Sequence, residues 1–243
     1  MSRVVFITGG TRGIGAGIAK RFHDAGDTVI VGGRRAPEPA PAWHFAPGDI
    51  RDPAIVSQII DDICREHGRI DVLVNNAGGS PPADTATASP RFTEAIIRLN
   101  LTAPLVLAQA ANAVMQQQDT GGVIINITSV SGLRASPTTA AYGAAKAGLL
   151  NLTRTLAVEW APKVRITAVT PGLVATEQSL DHYADPEAVA ATVPLGRFAT
   201  PQDIADAVHF MASPAAAYIT GANLVVDGGG EWPAFLRVQQ ESS

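Results

Sequence analysis

Thr8-Gly9-Gly10-Thr11-Arg12-Gly13-Ile14-Gly15 joins an apolar run at residues 3–8 to a helical pattern at residues 13–25 that stops at Gly26. A buried strand, a glycine-rich turn and a helix start present free backbone N–H groups and a positive dipole end to an anion. The glycines at 9, 13 and 15 each have a use there. One permits the tight turn, one lets the backbone approach a pyrophosphate, and one lets the helix pack closely on a sheet. The spacing is G-x-x-x-G-x-G rather than G-x-G-x-x-G. Alone, the stretch also reads as a plain strand-to-helix turn.

The pattern repeats outward from that turn. Further strands are expected at residues 28–32, 43–46, 71–74, 122–128, 164–169 and 223–226. Helices are expected from Asp52 or Pro53 to about His67, and at about residues 89–117, 139–160 and 201–212. Pro37-Glu38-Pro39-Ala40-Pro41 must be a loop, and residues 171–195 read as irregular with helical pieces. Strands alternating with helices of this length imply crossover connections and a parallel sheet covered on both faces. The expectation is an α/β chain with a single Rossmann-like, doubly wound domain over residues 1–230 and a separate tail at 231–243. The tail carries Trp232, Phe235 and Leu236.

Composition narrows the class. Apolar residues make up 46% of the 243 and charged residues only 16%, against about 25% charged in an average domain. Disorder of the bulk is excluded, because apolar surface suffices to offset ordering entropy. The net charge of −4 excludes a global basic footprint for nucleic acid or an anionic membrane. The single cysteine, Cys64, excludes an intrachain disulfide framework and reads as a small buried hydrophobe. The five histidines and the carboxylates show no metal-ligand spacing, so no metal is expected. The apolar run at 4–7 is too short for a signal peptide, and no stretch reaches a membrane span. A soluble, cytoplasmic protein is expected.

Tyr142 and Lys146, four residues apart at the start of an expected long helix, lie on one helical face. Ser129 follows the fifth strand and faces the same sheet edge as the glycine loop. Singly, each also reads as surface packing or a turn residue. Together they suit proton transfer. An unperturbed tyrosine titrates near about 10. An ammonium about 4 Å away, at an effective dielectric of about 20, favours the phenolate by roughly 4 kcal/mol before desolvation. That would bring the phenol toward neutral pH, where general acid–base catalysis works best.

These residues resemble the short-chain dehydrogenase/reductase family. The match is carried by Thr8-Gly9-x-x-x-Gly13-x-Gly15, Asn75-Asn76-Ala77-Gly78, Asn100, Ser129, Tyr142-x-x-x-Lys146 and Pro171-Gly172 with Thr176, in the family's order over about residues 3–229. The resemblance implies an oxidoreductase that moves a hydride between a nicotinamide cofactor and a carbonyl or alcohol. It makes Tyr142 the proton donor and acceptor. Lys146 would lower its pKa and hold the nicotinamide ribose, and Ser129 would bond the substrate oxygen. Asn100 would hold a water in a relay to Lys146, or simply bend its helix. Asn75 would tie neighbouring strands. Gly9, Thr11, Arg12, Gly13, Ile14, Gly15, Asn76, Ala77 and Gly78 would meet the cofactor, as would Pro171, Gly172, Val174 and Thr176. Asp49 and Ile50 would contact adenine, unless Asp49 merely starts a helix.

No acid stands at about Gly33 to bond a ribose 2′-hydroxyl, whereas Arg34, Arg35 and Arg12 can fork onto a 2′-phosphate. NADP(H) is the expected cofactor. Alternatively, Arg34 and Arg35 form a solvated turn and either cofactor serves.

The substrate pocket is expected from residues 79–84 and 131–139 and a lid at about 177–197. That lid holds Glu177, Asp181, Asp185 and Glu187, and there is no Lys or Arg between Arg165 and Arg197. Such a lid weakens steering of polyanionic substrates. Arg91, Arg98, Arg134 and Arg154 leave a docking patch elsewhere open. A small carbonyl or alcohol substrate is expected. A 3-oxoacyl-carrier-protein reductase is the runner-up, and a non-catalytic NADP(H)-binding regulator a third reading. By resemblance, the helices at 89–117 and 139–160 build a homo-oligomer, a tetramer or dimer. The tail is expected to dock on a neighbouring subunit or beside its own lid.

Overall fold

The structure is a computed structural model describing residues 2–38, 40, 42–180 and 183–232. Seven strands form one parallel sheet: β1 Val4–Thr8, β2 Thr28–Gly33, β3 His44–Pro47, β4 Val72–Asn75, β5 Gly122–Ile127, β6 Val164–Pro171 and β7 Asn223–Val226. The order across the sheet is β3-β2-β1-β4-β5-β6-β7, with every neighbouring pair parallel. The doubly wound, Rossmann-like architecture expected from the alternating pattern is the one present.

The period-2 alternation of strand side chains divides the core into two layers. In β1, Val4 and Phe6 point to one layer, while Val5 and Ile7 point to the other. The first layer is roofed by helices α2 (Pro53–His67) and α4 (Ala103–Met115), through Val56, Ile59, Ile60, Leu107 and Met115. The second is roofed by α1 (Gly13–Asp24) and α8 (Pro201–Met211), through Ile18, Phe22, Ile204 and Val208. Burying a large aliphatic or aromatic side chain stabilises by about 1.5–3 kcal/mol, so these stripes fix which face each helix presents. Cys64, expected to be buried, is only half-buried on α2, though it packs against the first layer.

One expected element is corrected. The helix anticipated over residues 89–117 is broken into α3 (Pro90–Ile97), a π-helical turn at Arg98–Thr102, and α4. Asn100 sits inside that turn, fully buried. Its side-chain amide donates to the carbonyl oxygen of Ile96, four residues back, and so competes with the helical ladder. Helix α5 (Ala140–Glu159) matches the expected long helix. The irregular segment after β6 contains α6 (Glu177–Leu180) and α7 (Pro186–Ala190).

Candidate active site

Strands β1 and β4 are neighbours, but the chain leaves them toward opposite faces of the sheet, α1 on one and α4 on the other. Such a divergence opens a crevice at the carboxyl ends of the strands. Here it is a cleft of about 1220 Å³.

The glycine loop forms its floor. Gly9 adopts φ +64°, a backbone conformation that side chains resist. A Cβ at Gly15 would lie 2.2 Å from the carbonyl oxygen of Gly9, so only glycine lets the helix start fold against the turn. Thr8 anchors the loop to β4: its hydroxyl accepts from the backbone N–H groups of Asn76 and Ala77, each at 3.0 Å. The Asn76 side-chain amide donates to the carbonyl oxygens of Thr8 and Gly9. Asn76 lines the cleft, yet its amide N–H groups are spent on holding the loop.

Ser129, Tyr142 and Lys146 meet on the opposite wall. Ser129 caps a 3-10 turn at Val130–Gly132, and its hydroxyl accepts from the Ser131 N–H at 3.2 Å. Helix α5 is registered against the sheet by a buried polar chain. The Asn75 amide donates to the Asn126 carbonyl, and the Asn126 amide donates to the Thr153 hydroxyl, both at 2.9 Å. Asn75 therefore ties β4 to β5, the structural role the family resemblance implied. Lys146 is buried, and its ammonium donates to the carbonyl oxygen of Ile127 at 2.8 Å.

The electrostatics differ from expectation. Burial raises the Tyr142 phenol above its ordinary value, and a hydrogen bond with Ser129 only partly opposes this by favouring the phenolate. The Lys146 ammonium lies 5.5 Å from the phenol ring centroid. Desolvation of Lys146 itself is strong and pulls its pKa down to about 8. The downward shift of Tyr142 by its lysine, argued above from an assumed 4 Å separation, is thus overridden by burial of both groups.

Asn100 does not line the cleft; it is fully buried behind this wall, with its carboxamide clamping the backbone of Gly79, which does. Its Oδ1 accepts from the Gly79 N–H and its Nδ2 donates to the Gly79 carbonyl, both at 2.9 Å. A Cβ on Gly78 would fall 2.6 Å from Asn100 Oδ1 and 3.2 Å from Lys146 Nζ. That leaves a smooth backbone surface between the loop and the lysine, of the kind a flat ring needs for close approach.

At the far end of the cleft, Arg12, Arg34 and Arg35 line its wall, all exposed. None of the three has a side-chain hydrogen bond or ion pair among the described residues. Asp49 behaves otherwise: the Arg51 guanidinium clasps it and holds its carboxyl down at about 2. Asp49 does not start the following helix, because Asp52 caps α2 by accepting from the Ala54 N–H. Ile50 is buried beside it.

The expected cofactor residues Thr11, Gly13, Ile14, Ala77, Pro171, Gly172, Val174 and Thr176 all line the same cleft. Val174 bridges to Ala199, which pins the chain after β6. Three guanidinium groups without a hydrogen bond or ion pair among the described residues at one end, a cradle of glycines in the middle and a smooth wall beside Lys146 fit an elongated anionic dinucleotide such as NADP(H).

Sequence reasoning missed several members. Ser129's neighbour Thr128, and Leu99, Leu173, Ser179 and Tyr183, also line the cleft. Ser179 locks the Thr176 turn by accepting from the Thr176 N–H at 2.8 Å and donating to the Val174 carbonyl at 2.6 Å. The T-E-Q-S spacing of residues 176–179 was the signal available for it. In the lid, Glu177 and Glu187 are exposed and Asp185 caps α7, while Asp181 lies outside the described residues. Arg91 and Arg98 share a separate hollow with Arg51, Asp49, Asp52 and Glu94, whose acids offset the basic charge. Arg134 is paired with Glu231, and the Trp232 N–H donates to the Thr192 carbonyl, beside the chain's own lid segment. Phe235 and Leu236 of the tail lie outside the described residues.

Comparison with known proteins agrees with this geometry. A family model described as enoyl-(acyl carrier protein) reductase matches residues 9–231. The chain is 36% identical to the 3alpha-hydroxysteroid dehydrogenase of Mediterraneibacter gnavus, over 93% of this chain and 96% of that one. It is also 36% identical to the 3-oxoacyl-[acyl-carrier-protein] reductase of Synechocystis sp., over 94% and 96%. Among solved structures it resembles ElxO with NADP bound, at a TM-score of 0.88 and 30% identity, covering 94% of this chain and 98% of that one.

Proposed function

Because this chain belongs to the short-chain dehydrogenase/reductase family, we propose that it interconverts a carbonyl group and a secondary alcohol with NADP(H). The observation that carries this reading is the meeting of Ser129, Tyr142 and Lys146 in the cleft that also holds the glycine loop. NADPH, when bound, supplies the hydride and NADP accepts it. The chain's own residues supply the rest. The Ser129 hydroxyl donates a hydrogen bond to the substrate oxygen and holds it beside the Tyr142 phenol, stabilising charge as it develops there. In reduction Tyr142 Oη gives its proton to that oxygen, and in oxidation it takes the proton back. Lys146, charged below about pH 8, stabilises the phenolate left behind and offers its remaining N–H donors to ribose hydroxyls. Arg12, Arg34 and Arg35 hold the 2′-phosphate. Asn100 positions Gly79 and the bent helix beside Lys146, and a relay water there is part of this reading.

The test is NADPH consumption over a panel of ketones, steroids and 3-oxoacyl thioesters, with NADH and Tyr142→Phe as controls. Turnover that vanishes in Tyr142→Phe, with NADPH affinity retained, is the expected result. Turnover retained in that variant overturns the mechanism. Selective thioester turnover would favour the reductase of acyl-carrier substrates, a reading supported by the Synechocystis relative. The M. gnavus relative makes a hydroxysteroid the first alcohol to try. Tight NADPH binding with no turnover in either direction would favour the regulator reading. We also expect a dimer or tetramer in solution; exposed Val158 on α5 and Phe210 on α8 are consistent with buried subunit contacts, and a monomeric mass by sedimentation would refute it.

A further inference from the structure

We propose that His44, Glu66 and His67 form a binding site for a divalent transition-metal ion, zinc by preference, which clips the edge strand β3 to the end of α2. The three donors come from two elements. His44 opens β3, and Glu66 and His67 close α2. Among the described residues, strand β3 pairs only with β2, at the margin of the sheet. Because α2 runs back across the sheet after β3, its last turn returns to the strand's amino end.

The Glu66 carboxylate oxygen Oε1 stands between the two rings, 3.6 Å from His44 Nδ1 and 3.7 Å from His67 Nε2. All three donor atoms lie within 4.8 Å of one another, and the two rings meet edge to face with centroids 5.2 Å apart. A tetrahedral zinc ion with bonds of about 2.0–2.2 Å sets its donor atoms about 3.3–3.6 Å apart. Two edges of that triangle are therefore nearly formed, and side-chain rotation suffices to close the third. Two imidazoles and one carboxylate are a donor set that suits zinc and its neighbours rather than magnesium or calcium. Three protein ligands leave a fourth position for water.

The site was invisible in sequence because 22 residues separate His44 from Glu66, with no ligand spacing between them. None of the three residues lines the catalytic cleft, so the ion's role is to secure a short edge strand rather than to take part in hydride transfer. The folded chain presents donors that the unfolded chain does not hold together, so binding must stabilise the fold.

The experiment is calorimetric titration of zinc chloride into untagged, chelator-treated protein, together with a thermal melt. One zinc per chain is expected, with a rise in Tm of about 5 °C at a hundredfold excess over Kd. His44→Gln, Glu66→Gln and His67→Gln should each weaken binding at least tenfold and remove the rise in Tm. Glu66 is exposed, so its variant stays folded if a histidine variant does not. Oxidoreductase turnover should be the same with and without the ion. Absence of saturable binding, or binding unchanged in the His44→Gln/His67→Gln double variant, overturns the proposal.

Discussion

Lys146 donates through Nζ to the carbonyl oxygen of Ile127 at 2.8 Å. The bond ties a buried ammonium in the cleft wall to the end of β5, two residues before Ser129. The sheet thereby sets the position of the lysine, and Tyr142, four residues before it on α5, is carried with it.

The first prediction concerns stability. Lys146 titrates at about 8 in the folded chain against an ordinary 10.5. Between those values the unfolded chain binds more protons, so stability rises with pH through that window. The cost of burying the charge is fully present below pH 8, on the order of 3 kcal/mol. Lys146→Met removes it but strands the Ile127 carbonyl, at about 1–3 kcal/mol. Urea denaturation at pH 7.5 and 10 should show the rise in the parent and no rise in the variant.

The same residue sets a kinetic limb. The kcat/KM for carbonyl reduction should fall as pH rises through about 8, where Lys146 loses its charge. In Lys146→Arg the guanidinium stays charged, so whatever activity remains should lose that limb. A limb unmoved in the variant would assign the titration elsewhere.

Cofactor choice is testable at the far end of the cleft. Arg34→Ala and Arg35→Ala should each raise the Kd for NADPH about tenfold, since an exposed charge-assisted bond contributes on the order of 1.5 kcal/mol. NADH binding should be unchanged. Equal losses for both cofactors, measured by fluorescence titration, would mean the arginines do not read the 2′-phosphate.

The buried chain Asn75–Asn126–Thr153 should be as important for geometry as for stability. Asn126→Leu leaves the Asn75 amide and the Thr153 hydroxyl without that partner, at a cost of about 2–4 kcal/mol. Tm should drop by several degrees. At a temperature where the variant is fully folded, kcat should fall more than NADPH affinity, because α5 carries Tyr142 and Lys146.

Asn100→Ala should be worse for activity than its stability loss suggests. It releases the Gly79 backbone from both 2.9 Å bonds and removes the amide that opens the π-helical turn. A 10²-fold or larger loss of kcat with near-native circular dichroism is expected, at the low end of what a positioned proton-transfer site contributes, about 10²–10⁴. Retained kcat would make Asn100 structural only.

Much of this molecule was determined by local order in the chain. The alternation of short apolar runs with helical stretches requires crossovers and hence a parallel sheet, and the turn at Thr8–Gly15 marks where the cleft must open. Spacing alone put Tyr142 and Lys146 on one helix face and Ser129 at a strand end. What only the tertiary structure decided depends on neighbours distant in sequence. At the break over Arg98–Thr102, Asn100 bonds back to Ile96 on its own helix and also reaches Gly79, a contact no helical periodicity encodes. Burial, which belongs to the assembled core, reversed the expected direction of the Tyr142 shift and brought Lys146 down to about 8. Asp49 went to Arg51, only two residues on, while Arg12, Arg34 and Arg35 make no side-chain hydrogen bond or ion pair among the described residues, an outcome that the placement of β2 and β3 by the fold decides.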